Sequence, residues 1–321
     1  MEEDAGVDIG IVHFTGCSVM PQDLAREVEE RGFESLFYTE HTHIPVASRR
    51  ASSSARNYAT TFDPFVALAA AAAATSTLKL GTGVCLLPQR DPIITAKEVA
   101  SLDLLSGGRV LLGVGSGWNR EEMRNHGVEP TGRTARMVEA VQAMRQIWAT
   151  DEAEFHGDHV DFGPLWSWPK PAQRPGPPVL FGGNGPGVED HVLAHGDGWL
   201  PQAGPFGSIE DVCTRIGRLR ERAAAAGRGH VPVTMFGAPD DLGLLEQLAA
   251  AGVDRCLIPV RSGDSDELWA RLDAVTAVRE AFTSGLVLLR GQVWHAPTRE
   301  SHPSRLVHRR RRPLPAAPGQ P

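Results

Sequence analysis

The sequence predicts an α/β protein in which eight strand-and-helix units close into a (β/α)8 TIM barrel. Short apolar runs recur along the chain, and each is followed by a segment with helical character. Runs of this kind are typical of parallel strands that are buried on both faces. Eight such units within residues 1–285 match this barrel, whose usual size is ~250 residues, whereas a doubly wound sheet seldom needs eight alternations.

The eight predicted strands combine apolar, β-branched and small residues. They lie at residues 7–13, 33–38, 78–84, 109–114, 179–182, 198–200, 231–235 and 255–260. Asp63-Pro64 and Asp91-Pro92 each place an N-capping acid before a proline, which predicts helices over 65–75 and 93–105. Gly107-Gly108 is expected to end the second of these helices. Further helices are predicted at residues 22–31, 133–149, 188–195, 209–226, 241–251 and 266–282.

Two long connections interrupt the repeat, and the repeat itself fails near the end of the chain. Residues 39–62 follow a strand and therefore belong to the face where barrel active sites are built. Residues 150–178 follow a helix and are predicted to form a small ribbon with an aromatic cluster on another surface. The predicted domains are thus the barrel, residues 1–285, and an Arg- and Pro-rich tail, residues 286–321, that we expect to be disordered.

Charge is distributed unevenly along the chain. The formal net charge is −7, but residues 286–321 carry +6, which leaves −13 on residues 1–285. A body this acidic argues against nucleic acid as a partner. The acidic N-terminus does not resemble a secretory signal, and no apolar run is long enough for a membrane span. We therefore expect a cytoplasmic protein without a membrane partner.

The segment YTEHTH follows the second predicted strand and contains the first candidates for catalysis. Ionisable side chains at a strand carboxyl end point into the mouth of a barrel, so Glu40 and His41 are candidate acid–base residues. A solvated polar turn is the alternative that spacing alone leaves open. His41 and His43 also have a spacing that invites a metal ion. No third ligand with suitable spacing follows them, however, and no metal site is predicted.

Glycine-rich segments end three further predicted strands. Gly81 and Gly83 predict either a bulge that approaches a ligand or a tight packing position in the barrel. The segment GVGSGWN lacks the spacing of a dinucleotide motif, but it offers a floor of small residues for a flat ring. The segment FGGNGPG leads into a helix, where backbone amides suit a phosphate. Together these segments predict a long, flat, phosphorylated cofactor.

The chain resembles the luciferase-like flavin monooxygenase superfamily, and most closely its branch of oxidoreductases that use the deazaflavin coenzyme F420. The resemblance spans residues 7–282. It is carried by the segments FESLFYTEHTHIP, TFDPFVALAAAAAAT, LKLGTGVCLLPQRDPIITAKEVASLDLLSGGRVLLGVGSGWNREEM and PPVLFGGNGP. It implies a luciferase-like TIM barrel that holds the coenzyme at the strand carboxyl ends.

The resemblance also implies roles for individual residues. Glu40 and His41 match the family's acid and histidine at the second strand, although the acid is often Asp in the family. A non-prolyl cis peptide is implied between Gly83 and Val84. The implied cofactor contacts are Gly83, Val84, Ser116, Asn119, Gly182, Gly183 and Asn184, of which the last three form the phosphate loop. The residues expected to shape the substrate pocket are His13, Phe14 and Trp118.

The chemistry that the resemblance implies depends on the cofactor. A deazaflavin has carbon in place of flavin N5 and does not readily support monooxygenation, so we expect hydride transfer between coenzyme F420 and a small organic substrate. A monooxygenase that uses reduced FMN and oxygen is one alternative, and a non-catalytic flavin-binding barrel is another. We also expect a homodimer. The substrate is not named by the sequence because specificity depends on loop shape.

Overall fold

A computed structural model describes residues 6–46, 48, 55–202, 204, 207–261 and 264–290, with the side chains in those ranges except at 55, 56 and 286–290. The strands are β1 (Asp8–Thr15), β2 (Ser35–Tyr38), β3 (Lys79–Thr82), β4 (Val110–Val114), β5 (Glu152–His156), β6 (Asp161–Trp166), β7 (Val179–Gly182), β8 (Gly198–Leu200), β9 (Thr234–Phe236) and β10 (Arg255–Arg261). The helices are α1 (Pro21–Glu30), α2 (Ala55–Tyr58), α3 (Pro64–Ala74), α4 (Pro92–Ser106), α5 (Arg120–Asn125), α6 (Arg133–Ala149), α7 (Val188–His195), α8 (Ile209–Ala225), α9 (Leu242–Ala251) and α10 (Ser265–Arg290).

Eight of these strands form one parallel sheet in the order β8-β7-β4-β3-β2-β1-β10-β9. Two bridges, Trp199 with Val233 and Gln202 with Phe236, bring the two ends of this order together. At the second bridge, the N–H of Phe236 donates to the carbonyl of Pro201 at 2.8 Å. The sheet is therefore a nearly closed barrel, and the predicted (β/α)8 fold is confirmed.

The local signals in the sequence mark the observed element ends well. The Asp63 side chain accepts the N–H of Phe65, and the Asp91 side chain accepts the N–H of Ile94, so both residues cap helices as predicted. Gly107 ends α4 in the left-handed conformation, with φ at 70°. The short helices α2 and α5 were not predicted, because neither is long enough to show a helical period.

Two layers of apolar side chains surround the barrel strands. The larger one packs the strands against the outer helices. The smaller one fills the barrel interior with Val12, Phe37, Leu180, Leu200, Phe236 and Leu257, and Phe14 and Val84 pack against it. Gly81 makes room for this interior layer, since a Cβ atom there would lie 2.3 Å from the Phe37 ring. The interior layer supports the carboxyl end of the barrel from below.

The long connection after α6 forms the predicted ribbon, an antiparallel hairpin of β5 and β6 outside the barrel sheet. Because it joins a helix to the next strand, it lies at the barrel end opposite to the strand carboxyl ends. At the end of the chain, α10 continues to Arg290, past the predicted helix end at Phe282. Residues 291–321, most of the predicted tail, lie outside the described residues. Within the described ranges, no helix has the length and apolar character that a membrane crossing requires.

Candidate active site

A cavity of about 410 Å³ opens at the carboxyl ends of the barrel strands. Small-molecule sites usually occupy ~300–1,000 Å³, so the cavity can hold an organic ligand. Its wall consists of residues at or just after strands β1, β2, β3, β4, β7, β8 and β9, together with Tyr58 of α2. The predicted site residues on the wall are Phe14, Glu40, His41, Gly83, Val84, Ser116, Trp118, Gly182, Gly183 and Asn184. The structure thus brings together ten residues from distant parts of the sequence.

Two predicted site residues, His13 and Asn119, are not part of the cavity wall. His13 is buried beside Tyr38, with 5.2 Å between the ring centroids, and burial lowers the pKa of His13 to about 4. The Asn119 side chain is also buried, and its Oδ1 atom accepts the N–H groups of Glu121 and Glu122 at 3.2 Å. Asn119 was predicted to contact the cofactor ring, but in the structure it caps α5.

His41 is held between a carboxylate and an indole. Its Nδ1 atom lies 2.7 Å from Oε2 of Glu122, and the indole N–H of Trp118 donates to its Nε2 atom at 3.2 Å. Because an indole N–H can only donate, this network assigns the proton of a neutral His41 to Nδ1, where Glu122 accepts it. Glu122 is fully buried. The arrangement fixes the orientation of the imidazole and makes Nε2 its basic atom.

Sequence reasoning missed Glu122, which lies 81 residues from His41 along the chain. The carboxylate reaches the β2 end because it lies in the first turn of α5, directly after β4. Its other oxygen, Oε1, accepts the backbone N–H of Thr42 at 3.0 Å. A local signal was present: Asn119 followed by Glu122 has the spacing of a capping box and marks a helix start beside the barrel mouth.

Both carboxylate oxygens of Glu40 are occupied by contacts within the protein. Oε2 accepts the backbone N–H of Leu86 at 2.5 Å, and Oε1 accepts the Nε–H of Arg90 at 2.7 Å. Arg90 also pairs with Asp63 and Glu98, each at 2.9 Å. Glu40 therefore holds the segment after β3 against the end of β2. These contacts favour a positioning role for Glu40 over the proton exchange predicted for it.

Val84 forms the floor of the cavity on the side of β3, β4 and β7. The peptide bond between Gly83 and Val84 is cis, as the resemblance implied. The Val84 side chain fits between two glycines: an added Cβ would lie 2.3 Å from its Cγ2 atom at Gly115 and 2.7 Å from its Cγ1 atom at Gly182. The small residues that end β4 and β7 thus leave room for Val84. The floor of small residues predicted after β4 lines the cavity as Gly115, Ser116 and Gly117, and Val84 packs against Gly115.

The loop between β7 and α7 contains the predicted phosphate contacts. The N–H of Gly183 donates to the carbonyl of Leu200 at 3.0 Å, and the Asn184 amide bonds both backbone groups of Gln202 at 2.7 and 2.9 Å. These bonds join the loop to the segment after β8. Beyond them, a Cβ atom added at Gly185 would have no heavy atom within 4 Å, so the loop borders open space there.

Four rings that contact one another line another part of the cavity, and we call them the aromatic wall: Phe14, His41, Tyr58 and Trp118. Tyr58 packs edge-on against the other three, with centroid distances of 5.5 Å to Phe14, 5.7 Å to His41 and 5.9 Å to Trp118. Phe14 and Trp118 were predicted for the substrate pocket, whereas Tyr58 was not. Among the described residues of the cavity wall, none is Lys or Arg. The aromatic wall therefore suits a neutral, partly apolar ligand.

A barrel with its cavity at the strand carboxyl ends agrees with the family comparison. The sequence model described as luciferase-like monooxygenase matches residues 22–238, and the chain belongs to this family. An uncharacterized protein of Mycobacterium tuberculosis is 37% identical over 281 residues, which cover 84% of this chain and 97% of that protein. The similarity to that relative thus extends over nearly its whole length.

Two relatives with named activities use different cofactors. The FMNH2-dependent dimethylsulfone monooxygenase of Pseudomonas putida is 33% identical over 158 residues, 48% of this chain and 42% of that enzyme. The F420-dependent glucose-6-phosphate dehydrogenase of Kineococcus radiotolerans is 30% identical over 212 residues, 64% of this chain and 58% of that enzyme. This chain is therefore similar to enzymes of both cofactor types.

The similar solved structures include both an F420-dependent enzyme and a monooxygenase. The F420-dependent tetrahydromethanopterin reductase of Methanopyrus kandleri superposes with a TM-score of 0.64 at 20% identity, over 85% of this chain and 97% of that one. A monooxygenase of Streptomyces bottropensis superposes with a TM-score of 0.63 at 23% identity, over 89% of each chain. At these identities the similarity establishes the shared fold.

Proposed function

We propose that the protein is an oxidoreductase that transfers a hydride between coenzyme F420 and a small organic substrate. The observation that carries this proposal is the pair of His41 and Glu122, in which a buried carboxylate orients an imidazole on the cavity wall. Hydride transfer to a carbonyl, or from an alcohol, also requires a proton to be given to or taken from oxygen. A positioned histidine is the commonest group for such a transfer.

The cavity fits a flat tricyclic ring with a phosphorylated side chain. Val84 offers an apolar floor, and an added Cβ at Gly183 or Gly185 would have no heavy atom within 4 Å, which leaves open space beside the loop. When bound, coenzyme F420 would supply the carbon atom that gives or accepts the hydride. Val84 and the loop of Gly183 and Asn184 would hold the ring and the side chain in place.

The chain's own residues would perform the proton transfer. His41 Nε2 would donate a proton to, or accept one from, the substrate oxygen, which would take the place of the Trp118 N–H at this atom. Glu122 would keep Nδ1 of His41 protonated, so that only Nε2 faces the reaction. Tyr58 and Phe14 would exclude water from the reacting atoms.

The cavity wall also limits the class of substrate. Its described residues include no Lys or Arg that would neutralise a phosphorylated substrate. A cavity of about 410 Å³ that also holds a tricyclic ring leaves room for a small molecule only. We therefore favour a small, neutral carbonyl compound or alcohol over a sugar phosphate.

The first experiment compares the two cofactors directly. The purified protein is titrated with coenzyme F420 and with FMN, and binding is followed by fluorescence. The reduced coenzyme F420 is then assayed with conjugated carbonyl compounds, and the oxidised form with alcohols. The proposal expects tighter binding of coenzyme F420 and turnover that does not consume oxygen. Preferred binding of FMN with substrate-dependent oxygen consumption would contradict it.

The second experiment tests whether the coenzyme's phosphate binds at the loop between β7 and α7. Gly183 has φ at 105°, so any side chain there strains the backbone and gives an ambiguous result. Gly185→Val instead adds a side chain to open space beside the loop. We expect affinity for coenzyme F420 to fall roughly tenfold, about the value of one hydrogen bond, while a deazaflavin fragment without the phosphate binds as before. The control is Gly163→Val, at an equally open glycine of the β5–β6 hairpin. Equal losses for coenzyme and fragment would remove the phosphate from this loop.

A reduced-FMN monooxygenase is the second candidate function. The relative from Pseudomonas putida supports it, since its similarity covers 48% of this chain. The aromatic wall is compatible with this chemistry as well, because it would shield a reactive flavin from water. Oxygen uptake in the first experiment separates the two candidates.

A further inference from the structure

His43, the second histidine of the HTH segment, lies beside Glu122 of α5 and His126, the residue that follows this helix. His43, Glu122 and His126 each offer one ligand atom, and the three atoms lie within 4.8 Å of one another. No other group of three His, Cys, Asp or Glu side chains in the described ranges meets this condition. The group cannot be recognised from the sequence, because His43 and Glu122 come from different elements of the barrel.

The three side chains converge on the hydroxyl of Thr42. Its Oγ1 atom lies 2.8 Å from Nδ1 of His43, 2.7 Å from Nε2 of His126 and 3.4 Å from Oε1 of Glu122. Two imidazole nitrogens and a carboxylate oxygen therefore point to one small volume. Glu122 is buried, whereas His43 is half-buried and His126 is exposed, so an ion could enter from solvent on the side of His126.

We propose that His43, Glu122 and His126 form a site for a divalent cation of the zinc class. Two histidines and one glutamate are a known ligand set of zinc sites that keep a fourth position for water. Ligand atoms around tetrahedral zinc lie roughly 3.4 Å apart, since each bond is ~2.0–2.2 Å long. The three ligand atoms, which now lie within 4.8 Å of one another, must therefore move closer together to bind the ion. The exposed His126 side chain is free to move inward. The Thr42 hydroxyl would rotate away or remain beside the ion.

The surroundings of the group support this assignment. The other ring nitrogen of His43 lies 2.9 Å from the Asn125 side-chain amide, which can accept the Nε2 proton once the amide is turned. The other oxygen of Glu122 is bonded to His41. Ligands in metal sites commonly have outer partners of this kind, which fix their orientation. The bound ion would join the segment after β2 to α5 and share Glu122 with His41, whichever cofactor the cavity holds.

Metal titration of the untagged full chain tests the proposal. After treatment with EDTA, the protein is titrated with Zn²⁺ by calorimetry and with Co²⁺ by visible absorption. We expect one ion per chain in both titrations. His126→Ala and His43→Ala should each weaken binding by about a hundredfold or more, since loss of an outer partner alone costs ~10–100-fold. His156→Ala is the matched control, because His156 is an exposed histidine that is hydrogen bonded to Asp161.

Thermal unfolding gives a second readout that does not depend on activity. Saturating Zn²⁺ should raise the Tm of the wild type by roughly 5 °C, because the ion binds only the folded chain. The rise should vanish in His126→Ala and persist in His156→Ala. The Tm values without metal show whether each variant folds. Absence of one-to-one binding in the wild type, or equal affinity in His126→Ala, would show that the group is only a hydrogen-bonded cluster around Thr42.

Discussion

Two parts of the cavity wall differ in the atoms that they present to a ligand. On one side, which we call the glycine wall, Val84, Gly115, Gly182 and Gly183 present backbone and small apolar atoms. The aromatic wall instead presents large rings, among them the imidazole of His41, which is bonded to Glu122 and Trp118. The glycine wall can therefore support a ligand by shape, whereas the aromatic wall can also exchange a proton with it.

We therefore expect the glycine wall to bind the cofactor and the aromatic wall to take part in the reaction. Substitutions in the glycine wall should act on packing and on cofactor affinity, and substitutions in the aromatic wall should act on turnover. The division can be tested because each wall contains residues that are replaceable one at a time.

The largest effect is expected from His41→Ala. Loss of the proton-transferring group should lower turnover by roughly 10²–10⁴-fold, while affinity for the cofactor falls far less. Cofactor binding is measured by titration, and turnover is measured at a saturating concentration of the cofactor. Unchanged turnover, or a parallel loss of affinity, would remove the distinction between the walls.

A second prediction concerns His13, which is buried beside Tyr38 and is not among the residues that line the cavity. Its pKa is lowered to about 4 from 6.5 because burial disfavours the charged ring. The unfolded chain therefore binds this proton first, and stability should fall as the pH decreases from about 6.5 to about 4, by up to roughly 3 kcal/mol. His13→Gln should reduce this loss of unfolding free energy and leave turnover at pH 7 within a few-fold. Urea unfolding at several pH values between 7 and 4 measures the free energy of unfolding. The same decrease with pH in His13→Gln as in the wild type would contradict the prediction.

A third prediction concerns the glycine wall. Gly115→Ala places a Cβ atom where it would lie 2.3 Å from Cγ2 of Val84, so the valine or the strand end must shift. The free energy of unfolding should fall by about 1–3 kcal/mol, the usual cost of overpacking, and cofactor affinity should fall with it. Val84→Ala in the same chain should restore part of the stability. Gly163→Ala, at an open position, is the control. If the double variant is as unstable as Gly115→Ala alone, contact with Val84 does not explain why residue 115 is a glycine.

The smallest effect is expected from Trp118→Phe. This change keeps a ring in the aromatic wall but removes the N–H group that donates to His41 at 3.2 Å. One hydrogen bond is worth ~0.5–1.5 kcal/mol, so turnover should change by less than about tenfold. Trp118→Ala, which also removes the ring, should cost more in KM. Equal kinetics for the two variants would mean that the ring does not contribute to the pocket.

The sequence predicted the barrel well because its signals are local. Asp63 and Asp91 cap helices through groups two or three residues away, and Gly107 ends a helix by its own conformation. Such features depend on the neighbouring residues and can be recognised before any tertiary contact is known. The cis peptide after Gly83, in contrast, was expected only through the family resemblance.

The parts of the site that were not predicted depend on distant residues. Glu122 meets His41 because β2 and β4 end at the same face of the barrel, and nothing near His41 in the sequence indicates this. Gly115 and Gly182 lie in segments that were expected to face a cofactor, and both line the cavity, but the sequence did not indicate that they also make room for Val84. Glycine in a strand end indicates a close approach, and only the fold shows which group approaches.

The seam between β8 and β9 has a consequence for the exchange of backbone amide hydrogens. β1 pairs with β10 from Asp8 to Thr15, whereas in the described part of the chain β8 and β9 are joined by two isolated bridges. Amides at the seam should therefore exchange with solvent faster than those of β1, since local opening there breaks fewer bonds. Gln202 and Phe236 form one of the bridges and also line the cavity. A ligand that contacts either residue should slow exchange across the seam and thus complete the closure of the barrel.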